Sequence, residues 1–132
     1  MINKTMYRLR SSKVGRGAAL LALLTTCAPT FAGEPLAPQQ IATQWMGRTL
    51  IGTTAAGVAV ALRLHPDGTA QLEVGDKQDT GRWRLSDTGY CAAWTHIRRG
   101  QEACFIVKQD AEAYHVYSLD GQPSAVVRTK AD

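Results

Sequence analysis

After Gly47 apolar and polar positions alternate with period two, the spacing that sends successive side chains to opposite faces of a β-strand. Thr49 to Thr53 and Gly57 to His65 form the first two runs, joined by the small residues Thr54 to Gly57. In the second run Val58, Val60, Leu62 and Leu64 share one face. Ala59, Ala61 and Arg63 occupy the other, which meets solvent or packs lightly. His65-Pro66-Asp67-Gly68-Thr69 is a turn by mechanism, because proline presets φ, aspartate bonds its local backbone and glycine accepts positive φ. Thr69 to Val74 then completes a hairpin.

The alternation continues to the C-terminus. Residues 75–79 read as a polar loop, followed by a strand in which Trp83 and Leu85 share one face while Arg82 and Arg84 share the other. Tyr90 to Thr95 and Ala103 to Val107 are strands joined by the loop His96 to Glu102. Tyr114 to Leu119 and Ser124 to Arg128 follow, with Asp120-Gly121-Gln122-Pro123 as the turn between them. The single helical pattern lies earlier, over Gln39 to Met46. Pro38 opens it, Ile41, Trp45 and Met46 gather on one side, and Gly47 stops it. The expected fold class is all-β, a small antiparallel meander closed as a barrel or sandwich of seven to eight strands, with one short N-terminal helix plugging one end. No strand alternates with a helix, which excludes a parallel nucleotide-binding sheet.

The N-terminus changes how the composition is read. Lys4, Arg8, Arg10, Lys13 and Arg16 precede an apolar run from Gly17 to Leu24 and small residues up to Ala32, the order of a secretory signal peptide. Residues 1–32 are accordingly assigned to a signal peptide and 33–132 to a single all-β domain, with cleavage after Ala32. The apolar run falls short of the roughly 20 residues that span a bilayer, so no membrane span is expected. A competing reading makes Leu24-Thr25-Thr26-Cys27 a lipobox and Cys27 a lipid anchor. With the signal removed, ten basic residues face eleven acidic ones, a net charge of −1 in place of +4. That balance, and the scattering of the basic residues, argue against nucleic-acid binding. Arg98-Arg99, the only adjacent basic pair of the mature chain, reads as a solvated turn.

Export also sets the redox state. Cys91 and Cys104 are the only cysteines after residue 32, and an even count in an oxidising compartment implies a disulfide. With the hairpin centred near Ile97 and Arg98, the two residues oppose each other on neighbouring strands, with Cα atoms expected about 5.5 Å apart. The expected location is periplasmic or secreted.

Candidate chemistry is sparse. His65, His96 and His115 stand in no spaced ligand motif, so neither metal nor cofactor is expected. No Gly-x-Ser-x-Gly elbow is present. Asp67, Asp87 and Asp120 mark turns rather than an inward acid/base pair, and no catalytic residue is assigned. The aromatic residues are more suggestive. Trp94, Tyr114 and Tyr117, with Arg82 and Arg84, form a candidate ligand-binding set, a shallow apolar barrel mouth with a cationic tip.

The motif elements Trp45-x-Gly47-x-Thr49-Leu50-x-Gly52, Asp67-Gly68-Thr69, Gly81-x-Trp83, Tyr90-Cys91-x-x-Trp94, Cys104-Phe105 and Asp120-Gly121 run from about Ala37 to Val127. In these the chain resembles an uncharacterised family of small secreted proteobacterial two-cysteine all-β domains. The resemblance implies a lipocalin-like fold in miniature and no catalytic residues to carry over. The functional expectation is therefore a non-enzymatic binding or inhibitor module acting on a protein or cell-envelope partner. The alternatives are a carrier of a small apolar ligand in the barrel mouth and, last, an enzyme of unknown class.

Overall fold

A computed structural model of the protein describes residues 33–131; the segment assigned to the signal peptide, including Cys27, lies outside the described residues. The elements are β1 (Glu34–Pro35), α1 (Pro38–Trp45), β2 (Thr49–Thr54), β3 (Ala59–Leu64), β4 (Thr69–Val74), β5 (Lys77–Leu85), β6 (Tyr90–Trp94), a 3₁₀ turn (Ile97–Gly100), β7 (Ala103–Asp110), β8 (Ala113–Ser118) and β9 (Pro123–Thr129). From β2 to β9 each strand pairs antiparallel with the next, and β9 returns to pair with β2 through Val127↔Gly52 and Arg128↔Ile51. The result is an eight-stranded closed antiparallel barrel, so of the two architectures compatible with the alternation the barrel is the one adopted. Closure removes the exposed backbone edges that an open sheet must protect. β1 pairs with the C-terminal half of β7, through Pro35↔Lys108, beyond the point where β6 stops pairing.

One correction concerns residues 75–79. The polar run is not a loop. β4 and β5 meet in a tight turn, Val74↔Lys77, and Lys77, Gln78 and Asp79 already belong to β5. Polarity misled because Gln78 faces solvent, while Asp79, on the inner face opposite Leu72, has its carboxylate bonded by backbone donors.

The interior follows the period-two reading. Leu50, Leu62, Leu64, Ala70, Tyr90, Ala92, Trp94, Val107, Tyr114, Val116 and Val127 are buried together. Glycine is required where neighbouring backbone comes closest. A Cβ on Gly52 would collide with the carbonyl of Val126, and one on Gly81 with the carbonyl of Ala93 and the ring of Trp94.

α1 closes the end at which β2, β4, β6 and β8 begin. Its first turn has no side-chain cap at Ala37, but the Ala37 N–H donates to Gln40 Oε1 at 2.8 Å, leaving one orphan donor fewer. Ile41 and Trp45, four residues apart and so on one face, are both fully buried. Gly47 ends the element with a φ of +77°. Trp45 meets Tyr90 and Tyr114 edge-on at centroid distances of 5.5 and 5.4 Å, and Tyr90 lies 5.2 Å from Phe105. Each such pair adds about 0.5–1.5 kcal/mol beyond the area it buries. The Tyr114 hydroxyl donates to Gln44 Oε1 at 2.7 Å, tying β8 to the helix. Desolvation holds the Tyr90 phenol well above its usual range.

Cys91 and Cys104 are directly opposed on β6 and β7 and joined by a disulfide, with Cα atoms 3.9 Å apart. The separation is shorter than the expected 5.5 Å and nearer the close pairs of an antiparallel ladder, roughly 4.5 Å apart. For a loop of this length the chain-entropy account puts the bridge's contribution at about 3 kcal/mol.

The Trp45 indole Nε1 is buried without a hydrogen-bond partner, so the residue acts through its ring rather than its polar atom. Trp45→Ala is expected to cost about 3–5 kcal/mol, as for other large-to-small core changes. Trp45→Phe keeps a ring, removes the orphan donor and leaves a smaller cavity, so it should cost clearly less than Trp45→Ala. Urea unfolding of both variants measures the difference.

Candidate functional site

The sequence-predicted ligand set is divided by the barrel wall. Trp94 and Tyr114 point inward and are buried in the core. Tyr117 lies on the outer face, where the Lys108 ammonium sits 5.4 Å from its ring centroid. Arg82 and Arg84 alternate with the inward residues of β5 and are exposed. Arg84 makes a bidentate pair with Glu102, Nε to Oε2 at 2.9 Å and Nη2 to Oε1 at 2.8 Å. The pair reaches from β5 toward the start of β7, on the outer side of β6. It raises the Arg84 pKa and lowers that of Glu102. Arg84 is therefore committed to Glu102 and not to a barrel mouth. These five residues do not line one cavity.

The histidines are likewise dispersed. His65 Nε2 lies 3.1 Å from Gln71 Oε1, His96 follows β6, and His115 stands in β8 opposite Lys108. Among the described residues the one group of three with metal-ligand proximity is Cys91, Glu102 and Cys104. Two of its members are joined in the disulfide, which leaves no thiolate to ligate.

A broad concavity lies on the outside of β2 to β5. Because the strands are in register, outward side chains form rungs. Thr49, Arg63, Gln71 and Thr80 make one; Arg128, Ile51, Ala61, Glu73 and Gln78 make the next. Apart from Arg128, which borders the adjoining hollow, these residues with Lys130 and His96 line a groove of about 770 Å³. It continues over Thr53, Ala59 and Gly75 as a second hollow of about 420 Å³ that shares Ile51, Ala61 and Glu73. Four strands at about 4.8 Å spacing make the groove about 14 Å wide. Its floor is shallow because Ala59, Ala61 and Thr53 are short, and its rim carries the charges. Arg63 is steadied by donating to Thr49 Oγ1 at 2.8 Å and to the Gly47 carbonyl at 3.1 Å.

One end of the groove is organised by Asp79, whose side chain is 3% exposed. Its Oδ2 accepts from the backbone N–H groups of His96 and Ile97, both at 2.9 Å. Its Oδ1 accepts from the Thr80 N–H at 2.9 Å and lies 3.3 Å from His96 Nδ1. Hydrogen bonds to the ionised form, that of Ile97 foremost, outweigh desolvation and lower the pKa to about 2. A buried carboxylate thus holds the base of the β6–β7 connection. Beyond it Arg98 and Arg99 take left-handed conformations, φ 57° and 56°, followed by Gly100 at 77°. Outside glycine that region costs roughly 1–2 kcal/mol per residue.

Comparison with protein-family models, curated protein sequences and solved structures finds no match to this chain. No relative is found. The site is therefore described by its own residues. Sequence reasoning missed the groove because it treated the outer face of β3 as background. Its signal was already present in the outward pair Ala59 and Ala61, small side chains for an exposed strand, next to the cation Arg63. The role of Asp79 had no such signal, since two of its partners are backbone groups of residues seventeen and eighteen positions away.

Because the folded pKa of Asp79 lies below its unfolded value, its carboxylate stabilises the fold above the unfolded pKa of 3.8, and that contribution is lost as pH falls toward about 2. Thermal melts between pH 5 and pH 2 should show the wild-type midpoint falling through this window. Asp79→Asn should start lower and depend less on pH, since an amide replaces an acceptor oxygen with a second donor.

Proposed function

We propose that this domain is a non-enzymatic binding or inhibitor module of the periplasm or the extracellular space. It engages a protein or cell-envelope partner through the outer groove of β2 to β5. The observation that carries the reading is the groove itself. A floor of small side chains lies between the cations Arg63, Arg128 and Lys130, on a closed wall that has no spare strand edge. A partner cannot add a strand to such a sheet, so recognition falls to side chains and shape. The interior supports the same reading, because the helix, Tyr90, Tyr114 and Phe105 pack together at the α1 end, where a carried ligand would otherwise enter.

The remaining features are consistent with this assignment. The groove's two carboxylates have separate surroundings, since Asp79 is engaged by backbone N–H groups while Glu73 is exposed on the face of β4. The disulfide suits an oxidising compartment, and no described helix is long and apolar enough to cross a membrane.

Ala61→Tyr tests the proposal. Tyrosine suits a strand at least as well as alanine, so the melting temperature should hold while the groove is filled. A partner captured from envelope extract, identified and purified, should bind the wild-type protein and bind Ala61→Tyr at least tenfold more weakly in calorimetric titration. Equal affinities would remove the groove from the function.

A further inference from the structure

Arg98 and Arg99 are the least expected residues of the fold. Two consecutive arginines adopt φ values of 57° and 56°, where side chains crowd the backbone and glycine would sit without strain. The segment is nevertheless held firmly. The Cys91–Cys104 bridge closes the two strands that carry it, and the Asp79 carboxylate bonds the N–H groups of His96 and Ile97 immediately before it. The Arg99 N–H donates to the His96 carbonyl at 3.1 Å, and that of Gln101 to the Arg98 carbonyl at 3.0 Å. Strain kept in place by its surroundings is a feature of ligand clamps.

Charge indicates what such a clamp would hold. Among the described residues Arg84 pairs with Glu102, and the His96 ring Nδ1 lies 3.3 Å from an Asp79 carboxylate oxygen. Arg98, Arg99, Arg63, Arg128 and Lys130 have no carboxylate of the described residues within salt-bridge distance. His96 lines the groove and directly precedes the strained segment, so the loop adjoins the groove at that end. Arg128 and Lys130 lie at the other side, on and just after β9, and Glu73 stands between on β4. Arg98 and Arg99 on one side and Arg128 and Lys130 on the other therefore flank a middle in which Arg63 on β3 and Glu73 on β4 offset each other's charge.

We propose that the groove takes an extended segment of a partner protein with acidic residues toward both ends and small neutral residues between. Arg98 and Arg99 grip one acidic end, and Arg128 and Lys130 the other. This rests on the groove reading above. A concave floor about four strands wide suits a chain better than a flat lipid surface, and Glu73 disfavours a uniformly charged polymer.

The test uses disulfide-bonded protein purified from cells expressing the full chain and a labelled peptide of roughly twelve residues, with glutamates at both ends and serine and glycine in the middle. At about 3.4 Å per residue it spans the groove with length to spare. Fluorescence anisotropy should show binding that weakens as salt rises. Arg98→Gly/Arg99→Gly should bind at least tenfold more weakly while melting at the same or a higher temperature, because glycine relieves the strain. Arg98→Asn/Arg99→Asn, a second uncharged pair that tolerates this conformation, should behave alike in binding. Equal binding by wild type and both variants overturns the clamp, as does wild-type binding to anionic phospholipid vesicles but not to the peptide. Loss of peptide binding in the loop variants but not in Ala61→Tyr would fault the groove and keep the arginine grip. The reverse pattern would keep the groove and discard the grip.

Discussion

Closure of the sheet, β9 returning to β2, is the constraint on which the rest depends. Once the last strand pairs with the first barrel strand, every inward side chain must fit a space of set diameter, and β2 and β9 have no free edge toward each other. Fit along the axis is supplied by α1, whose fully buried Trp45 stands edge-on to Tyr90 and Tyr114. The wall also needs positions without side chains. Gly52 and Gly81 allow the backbone of β9 and β6 to approach where any Cβ would collide.

Closure has a functional corollary. With the helix end packed by aromatic rings, the accessible shape of the domain is its outer wall and the loops opposite α1. The wall between β2 and β5 carries short side chains in register, so it is hollow where a strand face usually bristles. The disulfide and Asp79 then act at one place, the hairpin of β6 and β7. One joins its strands covalently; the other fixes the backbone of its connection through hydrogen bonds to a buried charge. Rigidity is concentrated where the strained arginines are displayed.

The balance of charge is local rather than global. A near-neutral domain gives no long-range steering toward an anion, yet it can gather cations around one groove while the Arg–carboxylate pair of the described residues lies elsewhere. Arg84 with Glu102 illustrates the second case, a bidentate pair that braces the outside of the wall and leaves neither partner free.

Much of this was legible in the chain. Period-two alternation separated Val58, Val60, Leu62 and Leu64 from Ala59, Ala61 and Arg63, and the structure keeps that division within β3, while Val58 precedes the strand and is exposed. Turn residues located Gly68 and Gly121, and helical spacing paired Ile41 with Trp45. The pairing of Cys91 with Cys104 followed from their count and from where the hairpin had to turn. These are local properties, set by one strand's pleat, one helix turn or one loop's φ. What only the tertiary structure decided is which distant rungs come side by side. It divided Trp94 and Tyr114 from Tyr117, Arg82 and Arg84, since alternation names two faces without saying which strands will share a cavity. It drew Asp79 into β5 because backbone donors from beyond β6 satisfy its charge, a partnership invisible in a polar run. And it assembled the groove from β2, β3, β4, β5 and β9, whose register is fixed by barrel closure and not by any one of them.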